Sequence, residues 1–472
     1  MEQITQAQYN TAKQAYRNLH LKVNLLNFDY QTISSFEGNL ISGSLASDSN
    51  SNMRNTIDVS LVVTDSSFNI AAEGKIWLDR LIQVYVGVDD MRTGETVWMN
   101  KGIYLINQPT YTYDAANNTL SFQGVDLMGL MTGLRGGMLT ATYLIKQGEN
   151  VRNVIIAILK ENKFDKYVIS ECQNIDGAEQ TIPYEMQFDQ GSTWWDVLEK
   201  ILNILPNYQM YFDNNGVFHY EQIPYKSNEP IRMDNSIWKE NVTDESVQYD
   251  FESVKNSVRV LGRTHEINNY PSKIEISGTT ISLTIADWDS IYDNVMFGFT
   301  PTEDVSGSSI SININSLGAK QLVLDKDKPV TALSKDVYYV AYYKKDIDQF
   351  IFMGHHQAQG EYKDTNTSSP FYIGNPAGEI KIVLFGDEYD NIMTDELAEQ
   401  RAKWEIYQRC RMNDTVQLTT VPIYWAEVNW MVEYTPLGGE TPSQYLISSV
   451  HTELSPEGKQ TYELVKFYPY YE

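Results

Sequence analysis

The feature that most constrains this chain is strict two-residue alternation of apolar side chains. In Thr56–Val63, the residues Ile57, Val59, Leu61 and Val63 fall on one side, and in Leu81–Val88 the same holds for Ile82, Val84, Val86 and Val88. Successive side chains of an extended strand point to opposite faces, so such runs specify strands with one buried face. Tyr104-Leu105-Ile106 continues the pattern, and Leu120 and Phe122 follow turn-forming residues at 114–118. The 32 tyrosines among 472 residues agree with this, since Tyr favours strands and suits a ring with one buried and one wet side. Residues 20–130 are expected to form a small antiparallel barrel or sandwich.

Elsewhere the period changes. Residues 6–17, with Ala7, Ala12, Ala15 and Tyr16 on one face, predict a short helix. Gly133, Gly136 and Gly137 read as a hinge. Beyond them Val151, Val154, Ile155, Ile158 and Leu159 have helical spacing. A second helix follows Ser192 as N-cap, with Trp194, Val197, Leu198, Ile201, Leu202 and Leu205 as its stripe and Pro206 as its end. A hairpin is expected over Tyr208–Ile223, turning at Asp213-Asn214-Asn215-Gly216, where Asn-Gly suits positive φ angles. Strands resume at Ser257–Leu261. A stretch rich in Ser, Thr, Asn and Gly then runs from about 266 to 372, with alternation at Ile310, Ile312, Ile314 and at Tyr338, Val340, Tyr342. One more helix starts after Thr394, with Asp395 and Glu396 favourable at its N-terminus and Glu399/Lys403 and Glu405/Arg409 as surface pairs.

The order of strands occurs twice. Thr56–Leu61, Val84–Val86, Tyr104–Ile106 and Leu120–Phe122 are matched near the C-terminus by Thr415–Thr420, Met431–Tyr434, Tyr445–Ile447 and Tyr462–Leu464, with a turn at 455–458 before the last. Two copies of one β-domain would give a trimer six similar domains around an axis.

Composition limits the functions. A formal net charge of -26 argues against gripping nucleic acid, because phosphate contacts need Lys and Arg. It is compatible with a wall that nucleic acid slides past. Two cysteines, Cys172 and Cys410, are too few for a disulfide framework and lack zinc-spaced neighbours; two free thiols in a reduced compartment are expected. No run of about 18 apolar residues predicts a spanning helix, and Met1–Leu19 lacks an apolar signal core. The sequence has no H-E-x-x-H, no G-x-S-x-G and no P-loop, and His355 and His356, being adjacent, would face opposite sides of a strand. No catalytic, cofactor-binding or metal-binding residue is expected.

The segment Thr415–Tyr434, with Val421-Pro422-Ile423-Tyr424-Trp425 and Glu427-Val428-Asn429, resembles the C-terminal domain of phage tail hub proteins. Trp194-Trp195-Asp196 through Ile223 is similar to the α+β domain of the same hubs, and the start, with Met53-Arg54-Asn55-Thr56, is similar to theirs. The stretch Phe297–Pro301, Ser311–Lys320 and Val337–Tyr343 resembles a β-module of phage tail fibres, with Asn315-Ser316-Leu317 where that module has Asn-Gly-Leu. The resemblance implies a mainly β chain with two tube-type antiparallel β-barrel domains, an α+β domain between them and an inserted β-rich domain. The expected divisions are 1–135, 136–245, 246–265 with 373–472, and 266–372 for the insert. It further implies a non-enzymatic homotrimer in the virion tail, assembled in the host cytoplasm. Such a hub would contact a distal tail or tube protein on one side and tip or fibre proteins on the other, with genome DNA passing through without specific binding. Two other readings stand beside it. A receptor-binding tail protein would act through 266–372, where Trp288, Tyr292 and Tyr342 could stack on a host surface glycan. A tail-associated wall hydrolase would use a carboxylate pair that 62 acidic residues cannot single out.

Overall fold

The computed structural model describes residues 4–468, apart from 15, 38, 64–68, 73, 114–117, 174–176, 206, 227, 325–327, 412–413, 438, 440 and 456. The expected turn at 114–117, Pro206 and the turn residue Pro456 lie outside the described residues, but the helix expected to run to Pro206 already ends at Leu202. The chain is mainly β and divides into two compact units, residues 1–251 with 413–472 and residues 252–412.

The first unit is built on one twelve-stranded sheet. Its strands in chain order are β1 Leu19–Leu26, β2 Thr32–Glu37, β3 Asn39–Asp48, β4 Asn55–Val62, β5 Leu81–Asp89, β6 Thr96–Tyr113 and β7 Asn118–Asp126, then β8 Val242–Gln248, β9 Thr415–Thr420, β10 Met431–Tyr434, β11 Ser443–Glu453 and β12 Gln460–Lys466. They lie in the order β8-β9-β12-β11-β3-β4-β7-β6-β5-β1-β2, with β10 also paired to β11. The duplication is visible in this order: β3-β4-β7-β6-β5 repeats as β8-β9-β12-β11-β10. Registers coincide residue by residue. Tyr104 lies opposite Ile82 and Asp126, and Tyr445 opposite Val432 and Lys466. Ile57 pairs with Leu45, and Val416 with Val247. Both β6 and β11 carry a bulge just past the Tyr-Leu-Ile triplet. Two equivalences differ from those expected from sequence. Met431–Tyr434 matches Leu81–Val84 instead of a run at Val84, and Tyr462 matches Phe122.

The two repeats are joined by direct pairing of β11 with β3, from Ser449 opposite Asp48 to Glu453 opposite Ser44. One hydrophobic cluster runs beneath both: Ile57, Val59 and Phe122 from the first, Val416, Leu418 and Tyr462 from the second. Each such fully buried side chain contributes about 1.5–3 kcal/mol relative to exposure. Helix α1 (Gln6–Ala12) starts with a capping box between Thr5 and Gln8. It is shorter than the 6–17 expected, since the Lys13 N–H already closes the last turn on the Asn10 carbonyl.

The α+β segment is not a detached domain. Helices α2 (Val151–Glu161) and α3 (Trp194–Leu202) and the hairpin Tyr208–Phe212/Phe218–Gln222 share one cluster with Leu26, Leu81, Ile103 and Leu105 of the sheet. The expected boundary at 136 thus falls inside a continuous core. Gly137, at φ 79°, lies where a Cβ would come within 2.6 Å of the Leu130 carbonyl oxygen, so it is a packed contact and not a hinge. Thr193, not Ser192, caps α3, and Asp196 completes the capping box. In the hairpin turn only Gly216 takes positive φ, at 73°, because the Asp213 carboxylate accepts the N–H groups of Asn215 and Val217 and builds the turn itself. Helix α4 (Asn235–Asn241) buries Trp238 edge-on against Tyr434 and Tyr462.

In the second unit, Ser257–Thr264 lies between Gln357–Lys363 and Lys381–Leu384. It has no free edge, so it does not belong to the second tube-type domain as expected; β8, which the expected boundary between 245 and 246 divides, takes that place. Helix α5 (Asp395–Arg409) also belongs to this unit. It carries the pairs Lys403–Glu399 and Arg409–Glu405, at 3.5 and 2.9 Å. The β-rich module within it has a seven-stranded sheet formed by strands between Pro271 and His355, over a core of Phe297, Phe299, Ile312, Leu322 and Phe350. Asn315 and Ser316 both sit at positive φ, 48° and 61°, where Gly would be unstrained. Such a conformation costs about 1–2 kcal/mol per residue. Asn315 offsets it by donating to the carbonyls of Ile285 and Trp288 and accepting the Ile285 N–H.

Gln248 and Thr415 are directly opposed neighbours in the β8–β9 ladder, about 5 Å apart. The second unit is therefore an insertion in a hairpin loop, wider than the expected 266–372. Joining Gln248 to Thr415 through a Gly-rich loop of about four residues should leave the first unit soluble with one cooperative unfolding transition. Loss of that transition would show that the insertion is part of the first unit's folding core.

Candidate functional site

One face of the twelve-stranded sheet covers the first hydrophobic cluster, and the opposite face, where it is not packed on the α+β segment through Leu26, Leu81, Ile103 and Leu105, carries polar side chains. Strand register specifies which residues share it. Asp58 on β4 lies opposite Gln123 on β7 and Ser44 on β3, and Ser60 lies opposite Ser121 and Ser42. Ser44 in turn lies opposite Glu453, and Asp48 opposite Ser449. In the second repeat, Gln417 lies between Glu463 and Ser246, and Thr419 between Thr461 and Asp244. Thr110 and Thr112 extend the face on β6. The residues so registered are Ser, Thr, Gln and carboxylates, none of them Lys or Arg; the same face also carries His451 opposite Ala46 and, on β1, Lys22 opposite Tyr85. Its side chains bridge strands with short polar contacts: Ser60 Oγ to Ser121 Oγ at 2.9 Å, and Gln123 Nε2 donating to Asp58 Oδ2 at 3.1 Å. Chemically such a face offers no anion grip and no nucleophile paired with a base. It is a hydrated, negative wall.

A second feature is a cleft of about 390 Å³ in the first unit. The Arg54 guanidinium, on a buried residue, lies 3.9 Å from the Tyr211 ring centre and donates to Gln209 Oε1 at 2.6 Å. Asn429 donates to the same Gln209 oxygen, the Tyr211 hydroxyl donates to Glu221 at 2.8 Å, and Asn214 donates to Glu427 at 2.6 Å. Burial pulls the Arg54 guanidinium below its ordinary value, opposed by Tyr211, Asp126 and Glu221. The segments that carried the resemblance to tail hubs, around Arg54, Asn429 and the 208–223 hairpin, meet in this network. Sequence reasoning did not find it, because its partners are distant: Arg54 and Gln209 are 155 positions apart.

Beside it, the ring of His219 stacks on Tyr211 at 5.0 Å, with Nε2 3.3 Å from Asp213 and Nδ1 3.6 Å from Glu221. Burial works against the charged ring, but Asp213 and Glu221 outweigh it and raise its pKa to about 9. A folded value above the free value of about 6.5 means that the charge stabilises the fold fully below that pH and that this contribution is lost as pH rises through about 9. His219→Gln should therefore lower the melting temperature more at pH 6 than at pH 9.5. An equal drop at both would show that only the stacking matters.

In the inserted module, Tyr292 is 40% exposed, but Trp288 and Tyr342 are only 6% and 7% exposed. Trp288 packs edge-on against Tyr292 and Phe297, and Tyr342 packs with Ile267, Val340 and Met353. The expectation that all three rings are open for stacking is corrected: Trp288 and Tyr342 are core residues. Among the described residues, no group of three or more His, Cys, Asp or Glu could hold a metal ion. His355 instead holds Asp395 at 2.6 Å.

The tail protein of Neisseria meningitidis MC58 superposes with a TM-score of 0.50 at 11% identity, over 94% of this chain and 96% of that one. This is a tail-protein fold. The 43 kDa tail protein of prophage MuSo2 from Shewanella oneidensis gives 0.49 at 12% identity, over 95% and 98%. The prophage tail protein gp18 of Listeria monocytogenes EGD-e gives 0.45 at 9%, over 94% of each. Residues 368–471 match a domain of unknown function, DUF5048. No curated protein matches in sequence.

Proposed function

We propose that this chain is a structural hub of a phage tail, three copies of which form a ring at the distal end of the tail tube and let DNA pass. The observation that carries this reading is the pair of register-matched repeats joined in one sheet, with a face of mainly Ser, Thr, Gln and carboxylates common to both. Two like repeats per chain allow three chains to occupy six equivalent positions, which fits a three-fold component onto a six-fold tube. The shared polar face would line the passage. Phosphates bind where Lys and Arg neutralise them. A lining of Ser, Thr, Gln and carboxylates leaves DNA hydrated and unheld, with repulsion fading beyond a Debye length of about 8 Å at physiological salt. The tail-protein fold supports a structural role, with neighbouring tube and tip proteins as partners. The site offers no arrangement for catalysis that would favour the hydrolase reading.

Virions carrying Asp58→Lys with Glu463→Lys in every hub chain should assemble normally and release DNA about threefold more slowly or worse at low salt. The difference should shrink as salt rises, because each neutralised phosphate adds salt-sensitive affinity. Unchanged release kinetics would show that this face does not meet the DNA.

A further inference from the structure

Resting on the ring reading, we infer which strands join one copy to the next and in what register: β8 of one chain pairs antiparallel with the Thr110–Tyr113 half of β6 in its neighbour. The inference comes from the joint already present inside the chain. There the far half of β11, beyond its bulge, presents one edge to β3 while the other edge stays on β12. By register, β6 is the counterpart of β11 and β8 the counterpart of β3. Yet among the described strands the half of β6 beyond its bulge pairs with β7 alone, and β8 ends the sheet with β9 as its one strand neighbour. Each chain thus has one joint made and the two halves of a second left open.

Transferring the made joint fixes the pairs. His451 opposite Ala46 becomes Thr110 opposite Gln248; Thr452 opposite Leu45 becomes Tyr111 opposite Val247; Glu453 opposite Ser44 becomes Thr112 opposite Ser246. In the existing joint, Leu45 and Thr452 are 5% and 4% exposed. Their counterparts Val247 and Tyr111 lie half-buried at opposite ends of the same hydrophobic cluster, so pairing would finish burying both. Around these edges stand large apolar side chains with little cover: Tyr113 at 77%, Tyr249 at 57% and Phe251 at 74% exposed. Unpaired strand edges flanked by exposed aromatic rings are templates for strand addition. Pro109, which has no N–H to give a ladder, sits in the β6 bulge and sets where pairing begins. The contact is head-to-tail, which excludes an isolated two-fold dimer and gives the ring of the proposed function when the rotation from copy to copy closes after three.

The full-length chain carrying Thr112→Cys and Ser246→Cys tests this. Directly opposed strand residues meet the Cα spacing of a disulfide, about 4.4–6.8 Å. Mild oxidation should give covalent species of up to three chains, reversed by reductant. The pair Thr112→Cys with Val247→Cys, whose second residue points to the other face, should give none. Val247→Lys, which places a charge against Tyr111, should convert the trimer to a monomer that still unfolds in one cooperative transition. A native mass near three times 54.1 kDa without crosslinks at 112 and 246 would overturn the register and leave the ring standing. A monomer at every concentration would overturn both, and equal crosslinking of the two cysteine pairs, or a trimer from Val247→Lys, would overturn the joint.

Discussion

The structure of the first unit depends on the hydrogen-bonded joint between β11 and β3. Without it there would be two small β-units with a sheet edge each; with it they form one ladder over one hydrophobic cluster. The joint also transmits register. A slip by one residue would turn every side chain of a strand to the other face, so the ladder keeps Ile57 and Val416 inside and Asp58 and Gln417 outside across both repeats.

Function in this reading is a consequence of that two-faced order. The apolar positions that make the core are spaced by two, and so the positions between them form a continuous second surface. Across both repeats those positions carry mainly Ser, Thr, Gln and carboxylates, while the basic residues Arg54 and Lys101 make interior contacts with Gln209 and the Tyr424 carbonyl. The insertion between β8 and β9 leaves this arrangement intact, because it enters and leaves at adjacent ladder positions.

Much of this was legible in the sequence, for physical reasons. Period-two runs such as Thr56–Val63 and Thr415–Thr420 fixed strands and faces, and the Tyr-Leu-Ile triplets at 104 and 445 marked equivalent positions. Trp194, Val197, Leu198 and Ile201 of the α3 stripe are buried as read, although the cap lay one residue later, at Thr193, and the helix ends at Leu202, short of Leu205. Other features were not legible. Ser257–Leu261 read as a strand and Val242–Gln248 did not, and nothing local says which sheet takes either; long-range pairing with Gln357–Lys363 and with Thr415–Thr420 decides it. Aromatic residues in a Ser/Thr-rich stretch read as exposed, yet Trp288 and Tyr342 are core because the module folds over them. The Arg54 network and the α+β segment's fusion with the sheet depend on contacts far apart in sequence, which composition and periodicity do not encode.

The central claim is that two like repeats per chain alternate around a channel lined by their shared polar face. End-on electron cryomicroscopy of isolated tails, sectioned at the hub, tests it most directly. The account predicts six like β-lobes from three chains, alternating first and second repeat, with Asp58 and Glu463 facing the channel. Three lobes, or a ring in which these two residues face outward, would contradict it.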